Sequence, residues 1–183
     1  MTVLIDPNRT WAKVEERLAA ETDPVLRRNL ATVLEHMRAE AVGDIDGLLA
    51  TLSDDVHYHA YGSDEPMLNP KGRHGVRAFY EAFVASGATR LQLEIDRLVV
   101  DRDCVVTEGV MRMAYPGSTL RARGIDVDDA DAFYLYEARM CTLWPMDEHG
   151  LARGEDTYTG SDGFAGIKER KLSPDDIAEL RTG

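Results

Sequence analysis

The chain has 183 residues, 44% of them hydrophobic, which is enough for one well-buried core in one domain. A formal net charge of -12 argues against nucleic acid, whose phosphates are held by clustered Lys and Arg, and against anionic membrane surfaces. There is no basic leader, no run of about 18 apolar residues, and only Cys104 and Cys141, too few and too far apart for a disulfide framework or a zinc site, so the expectation is a soluble, cytoplasmic protein with free thiols.

Trp11, Val14 and Leu18 recur at helical spacing between Trp11 and Ala20, predicting a short amphipathic helix that serves as a lid or a dimer arm. Asp23-Pro24 supplies an N-cap and a Pro at the first helical position, and Leu26, Leu30, Val33, Leu34, Met37 and Ala41 then mark one face of a longer helix. Gly43 suits its left-handed end, Asp44 caps the next turn, and Ile45, Leu48, Leu49 and Leu52 face inward. From Asp54 to Tyr61, Val56, Tyr58 and Ala60 alternate with His57 and His59, the period of a half-buried strand. Gly62 to Gly72 reads as an exposed loop bordering a pocket, and Val76, Phe79, Tyr80 and Phe83 as a helix ended by Gly87. Leu91 to Val100, Cys104 to Tyr115, Ala132 to Trp144 and Leu151 to Tyr158 form a long antiparallel meander. Pro116 to Asp131 reads as an acidic insertion, and Ser161 to Gly183 as a polar tail with a short helix capped by Ser173-Pro174. Helices first and strands afterwards argue for an α+β fold with the helices on one face of a curved sheet.

Four pieces carry a family resemblance: the Gly43-Asp44-Ile45-Asp46-Gly47 turn, the Ser53-Asp54-Asp55-Val56 strand entry, the Gly72-Arg73-His74-Gly75 helix start, and the Met146-Asp147-Glu148-His149-Gly150 hairpin. In this order they resemble the cone-shaped family that includes nuclear transport factor 2, ketosteroid isomerases and SnoaL-like polyketide cyclases. The resemblance implies a cystatin-like cone, with a curved antiparallel sheet wrapped around N-terminal helices. Residues 1–183 would form a single domain, made of a helical extension (1–22), the cone (23–160) and the tail (161–183). It also implies a small hydrophobic ligand, no cofactor, and a homodimer formed through the sheet. In ketosteroid isomerases an Asp base moves a proton while a Tyr and a protonated Asp hold the enolate oxygen. Carried onto this chain, the Tyr falls on His36, the base on Ala60 and the second acid on Thr142, so the isomerase residues are not matched.

The catalytic candidates are therefore His36, Tyr58 and Glu155. An imidazole at position 36 suits an acid, a base or an oxyanion donor near neutral pH, or else a satisfied core histidine. Tyr58 lies one strand period before Ala60. Glu155 is the remaining carboxylate on the cavity side of the last strand, where an apolar surrounding raises a carboxyl pKa; Arg153 beside it opposes that shift or pairs with it in a surface ladder. His57 and His59 point the same way but lack a third ligand, so no metal is expected. Glu108, Arg112, Glu137 and Arg139 do not reproduce the carboxylate, Arg, carboxylate pattern of limonene-type epoxide hydrolases of the same superfamily and read as cross-strand ion pairs on the outer face. Met111, Tyr136, Met140 and Trp144 then line the inside, suiting a flat hydrophobic ligand or an ordinary core. With Ala60, Phe79, Thr142 and Thr157 they complete the expected substrate-binding set. The functional expectation is a cofactor-independent isomerase, cyclase or dehydratase/hydratase acting on a small hydrophobic carbonyl or polyketide-like compound; the alternative is a non-catalytic binding or structural cone.

Overall fold

A computed structural model describes residues 3–181. Helix α1 (Ala12–Ala20) packs on the main core of its own chain, where Val14 is fully buried. Asp23 starts α2 (Pro24–Val42) by accepting from the N–H groups of Val25 and Leu26 at 2.8 and 3.3 Å, with Pro24 where a missing N–H costs nothing. Gly43, at φ 70°, ends that helix in the left-handed conformation its closing carbonyls require. Asp44 caps α3 (Ile45–Ala50) through the N–H of Gly47 at 2.9 Å. A short strand, β1 (His59–Tyr61), precedes α4 (Gly72–Ala85), after which the chain runs through β2 (Leu91–Val100), β3 (Cys104–Pro116), α5 (Gly117–Ala122), β4 (Phe133–Pro145), β5 (Asp156–Thr159) and β6 (Lys171–Leu172).

The sheet order is β1-β5-β4-β3-β2, with β6 added to β4. All neighbours are antiparallel except β1, which lies parallel to β5 with Ala60 opposite Thr157. A bulge between Ile95 and Arg97 bends β2 where it meets Gly109 of β3. Only glycine fits there, since a Cβ on Gly109 would sit 2.0 Å from the Glu94 carbonyl oxygen. The bend curls the sheet around the helices, so Leu30, Val33, Leu34 and Met37 of α2 and Val76 and Tyr80 of α4 share one buried cluster with Leu93, Val105 and Trp144. This is the α+β cone.

On the convex face, Arg112 joins Glu94 and Glu137, each at 2.7 Å, and Arg139 joins Asp96 at 2.5 Å and Glu108 at 2.6 Å. These are the cross-strand ion pairs expected from the pattern.

Four segments differ from the sequence reading, the first being the last long strand, which is regular only over Asp156–Thr159 and not from Leu151. Asp54 and Asp55 form a turn and residues 56–58 stay outside the ladder: the N–H of His57 and that of His59, at the start of β1, reach the carbonyls of Arg153 and Glu155, both at 2.8 Å, and the N–H of Tyr58 reaches Pro70 on the other side at 3.0 Å. The acidic insertion holds α5 and buries Leu120 and Val127. The polar tail is stitched down by its few apolar residues, since Ile167 and Leu172 are buried and Leu135 donates to the Arg170 carbonyl at 2.8 Å. Average polarity hid those anchors. Among the described residues, no helix is long and apolar enough to cross a membrane.

Candidate functional site

His36 lies on the α2 face that meets the sheet and has no solvent exposure. Its Nδ1 is 2.8 Å from Thr51 Oγ1, and its Nε2 is 3.1 Å from the Tyr80 hydroxyl and 3.2 Å from Glu155 Oε1. Tyr80, from α4, donates to Glu155 Oε1 at 3.1 Å, and the Tyr58 hydroxyl lies 3.5 Å from that of Tyr80. Trp144 supports the ring of His36 edge-on at 5.1 Å while its indole N–H donates to Thr107 at 3.2 Å. Helices α2 and α4 thus bring His36 and Tyr80 to one carboxylate oxygen, with Tyr58 behind Tyr80 and Trp144 behind His36.

Burial followed by the nearby charge of Glu155 pushes both Tyr58 and Tyr80 well above the usual tyrosine range, so both stay neutral donors. Glu155 is the member of the cluster that reaches water, with 19% of its side chain exposed. Arg153 does not pair with it; the guanidinium reaches Asp55 at 2.7 Å and leaves Glu155 to the tyrosine and histidine. One turn beyond His36, Glu40 keeps a little accessible surface, yet protein atoms crowd its carboxyl, and burial and then Glu155 push its pKa up to about 8. The charge of Glu155 is thus close enough to Glu40 to act on its carboxyl.

Of the sequence-predicted residues, the structure brings His36, Tyr58 and Glu155 together. Ala60, Thr157, Thr142 and Met140 share the concave face running away from Glu155, with Thr142 and Thr157 hydroxyls 3.4 Å apart. Met111 and Phe79 pack, half-buried, against the main core. Tyr136 is not brought to this group: it packs with Tyr115 and Phe164 in a separate cluster beneath the C-terminal segment. Tyr80 and Glu40 were missed. Tyr80 falls in the apolar stripe of its helix, although a buried tyrosine hydroxyl needs a partner; Glu40 shares the helix face of His36 through its i, i+4 spacing. The cavity of about 770 Å³ described between the turn at Asp129 and the C-terminal segment, walled by Arg90, Phe133, Leu172 and Ile177, lies away from this cluster. Its Lys171 and Asp129 are already paired with each other at 2.9 Å. Outside both, the His57 and His59 rings lie 3.8 Å apart with their planes tilted by 52°, and His59 bonds Asp156 at 2.6 Å. Among the described residues no group of three His, Cys, Asp or Glu side chains is placed to hold a metal.

The family described as SnoaL-like domain matches residues 33–132, more than half of the chain. The chain belongs to the SnoaL-like family. No curated protein matches by sequence. Among solved structures, a putative SnoaL-like polyketide cyclase from Shewanella putrefaciens aligns at a TM-score of 0.65 with 12% identity, covering 91% of this chain and 96% of that one. An LEH-like epoxide hydrolase of Mycobacterium tuberculosis aligns at 0.60 with 18% identity over 80% and 94% of the two chains. A second M. tuberculosis protein, solved in complex with estradiol-17beta-hemisuccinate, aligns at 0.55 with 19% identity over 72% and 92%. At these identities the likeness is one of fold and places the chain among the nuclear transport factor 2-like cones. The SnoaL-like segment contains His36, Tyr58 and Tyr80, whereas Glu155 comes from the strand region beyond it.

Proposed function

We propose that this SnoaL-like protein is a cofactor-independent acid–base enzyme, an isomerase, cyclase or dehydratase/hydratase, acting on a small hydrophobic carbonyl or polyketide-like compound. The carrying observation is the convergence of Tyr80 and His36 on Glu155 Oε1 at 3.1 and 3.2 Å, in a cluster where Glu155 has the water-facing edge. In this reading Glu155 takes a proton from carbon beside the substrate carbonyl. Neutral Tyr58 and Tyr80 donate toward developing negative charge, and the half-buried row of Ala60, Thr157, Met140 and Met111 supports the apolar body of the ligand. Neighbours of the same fold solved with estradiol-17beta-hemisuccinate and with polyporic acid support that ligand class. Turnover of a panel of aromatic and polycyclic ketones tests the reading: Glu155→Gln and His36→Gln should each lose about 10²-fold or more, the scale of a lost acid–base group. Equal turnover by wild type and both variants overturns it.

A second reading, a non-catalytic binding cone, is favoured by one observation: none of the residues lining the cavity beside the C-terminal segment belongs to the polar cluster around His36. Binding of the ketones without turnover would select it. In either reading the protein is a cytoplasmic homodimer of one domain with no cofactor, and light scattering in solution tests the dimer.

A further inference from the structure

We infer that Thr51 is the positioning residue that fixes the tautomer of His36 and so decides which ring nitrogen exchanges a proton with Glu155. The inference rests on the acid–base reading for its catalytic meaning, although its geometry stands alone. Thr51 Oγ1 lies 2.6 Å from the carbonyl oxygen of Leu48. Two oxygens at that separation need a hydrogen between them, and a carbonyl has none to give. The single hydroxyl proton of Thr51 is therefore committed to Leu48. Toward His36 Nδ1, 2.8 Å away, the same oxygen acts only as an acceptor, so Nδ1 carries a hydrogen.

The consequence passes through the ring. With Nδ1 always a donor, Nε2 becomes the variable position, and it is the one facing Tyr80 at 3.1 Å and Glu155 at 3.2 Å. Tyr80 has one proton, and when it donates to Glu155 the remaining contact between Nε2 and Oε1 is satisfied by a proton lying on either atom. A proton taken up by Glu155 from substrate moves from Oε1 to Nε2 and returns by the same path, with no electron gained or lost. His36 is fully buried, so the stored proton meets water only by way of Glu155. With Nδ1 as the bare nitrogen this relay is broken, because the free lone pair faces Thr51.

Long-range ¹H–¹⁵N NMR of the histidine side chains in uniformly labelled protein tests this, with His36 assigned from its disappearance in His36→Gln. In wild type Nδ1 should keep a hydrogen-bearing shift at every pH at which the fold persists, and any loss of hydrogen should occur at Nε2. Thr51→Ser should preserve that pattern, and Thr51→Val should move the hydrogen-free nitrogen to Nδ1. Wild type with Nε2 protonated and Nδ1 bare overturns the inference, as does a Thr51→Val protein that keeps the wild-type pattern. If Thr51→Val does not fold, the wild-type and Thr51→Ser titrations still decide. Failure of the functional reading shows separately, as unchanged turnover in Glu155→Gln with the tautomer intact.

Discussion

Replacing Glu40 by Gln should flatten the dependence of stability on pH. In the folded chain the Glu40 carboxyl titrates at about 8, against an ordinary 4.5, because burial and the neighbouring Glu155 disfavour its ionised form. Between those values the folded state holds a proton that the unfolded state has released, so stability falls as pH rises through the window and levels off above it. At 1.36 kcal/mol for each pH unit, the full interval corresponds to about 5 kcal/mol, and the part lying between about pH 5.5 and pH 8.5 to about 3 kcal/mol. This is an upper limit, because the carboxyl keeps some contact with water. Gln has nearly the same shape and no charge to desolvate. Urea unfolding at both pH values should show wild type losing up to about 3 kcal/mol more than Glu40→Gln across the interval. Parallel stability curves for the two proteins would refute the assignment of a buried, proton-retaining carboxyl at position 40.

Gly109→Ala should cost roughly 1–3 kcal/mol of stability, as is typical of forced packing, and so lower Tm, since its Cβ would press on the Glu94 backbone at the β2 bulge; a calorimetric scan checks it. Asp23→Ala should cost about 1 kcal/mol in chemical denaturation by removing the cap of α2. Glu94→Gln, on the convex face, should change stability by less than about 1 kcal/mol, because its partner Arg112 keeps Glu137 and the site is half in solvent.

What the sequence made legible follows from how locally each feature is determined. Helix α2 and the strand β2 are written in their own residues: a cap, a Pro, a left-handed Gly and an apolar period fix the first, and alternation between turn signals the second. The entry to β1 is not local. Its backbone is satisfied by Arg153 and Glu155 on one side and Pro70 on the other, partners that no window around residue 56 contains. The same holds for the site. His36 and Glu155 were readable as polar groups on inward faces, but Tyr80 looked like one more apolar rung of α4, and nothing near Glu40 in the chain announces that Glu155 lies close enough to raise its pKa. Tyr136 obeyed the strand period and faces the same side of the sheet as Met140; it was misplaced because the face is shared between two covers, the helices at one end and the C-terminal segment at the other.

The parallel seam between β1 and β5 has a consequence for how this protein comes into being. It joins His59 to Asp156 across a sequence separation of 97 residues, and the neighbouring bond from Tyr80 to Glu155 spans 75. Such distant closures cost the most chain entropy and are disfavoured early in folding. A ribosome that has delivered the helices and three long strands has therefore supplied most of the hydrophobic core without Glu155. The polar cluster around His36 is completed only when Glu155 arrives at the start of β5, so its hydrogen bonds report that the last long-range closure has been made.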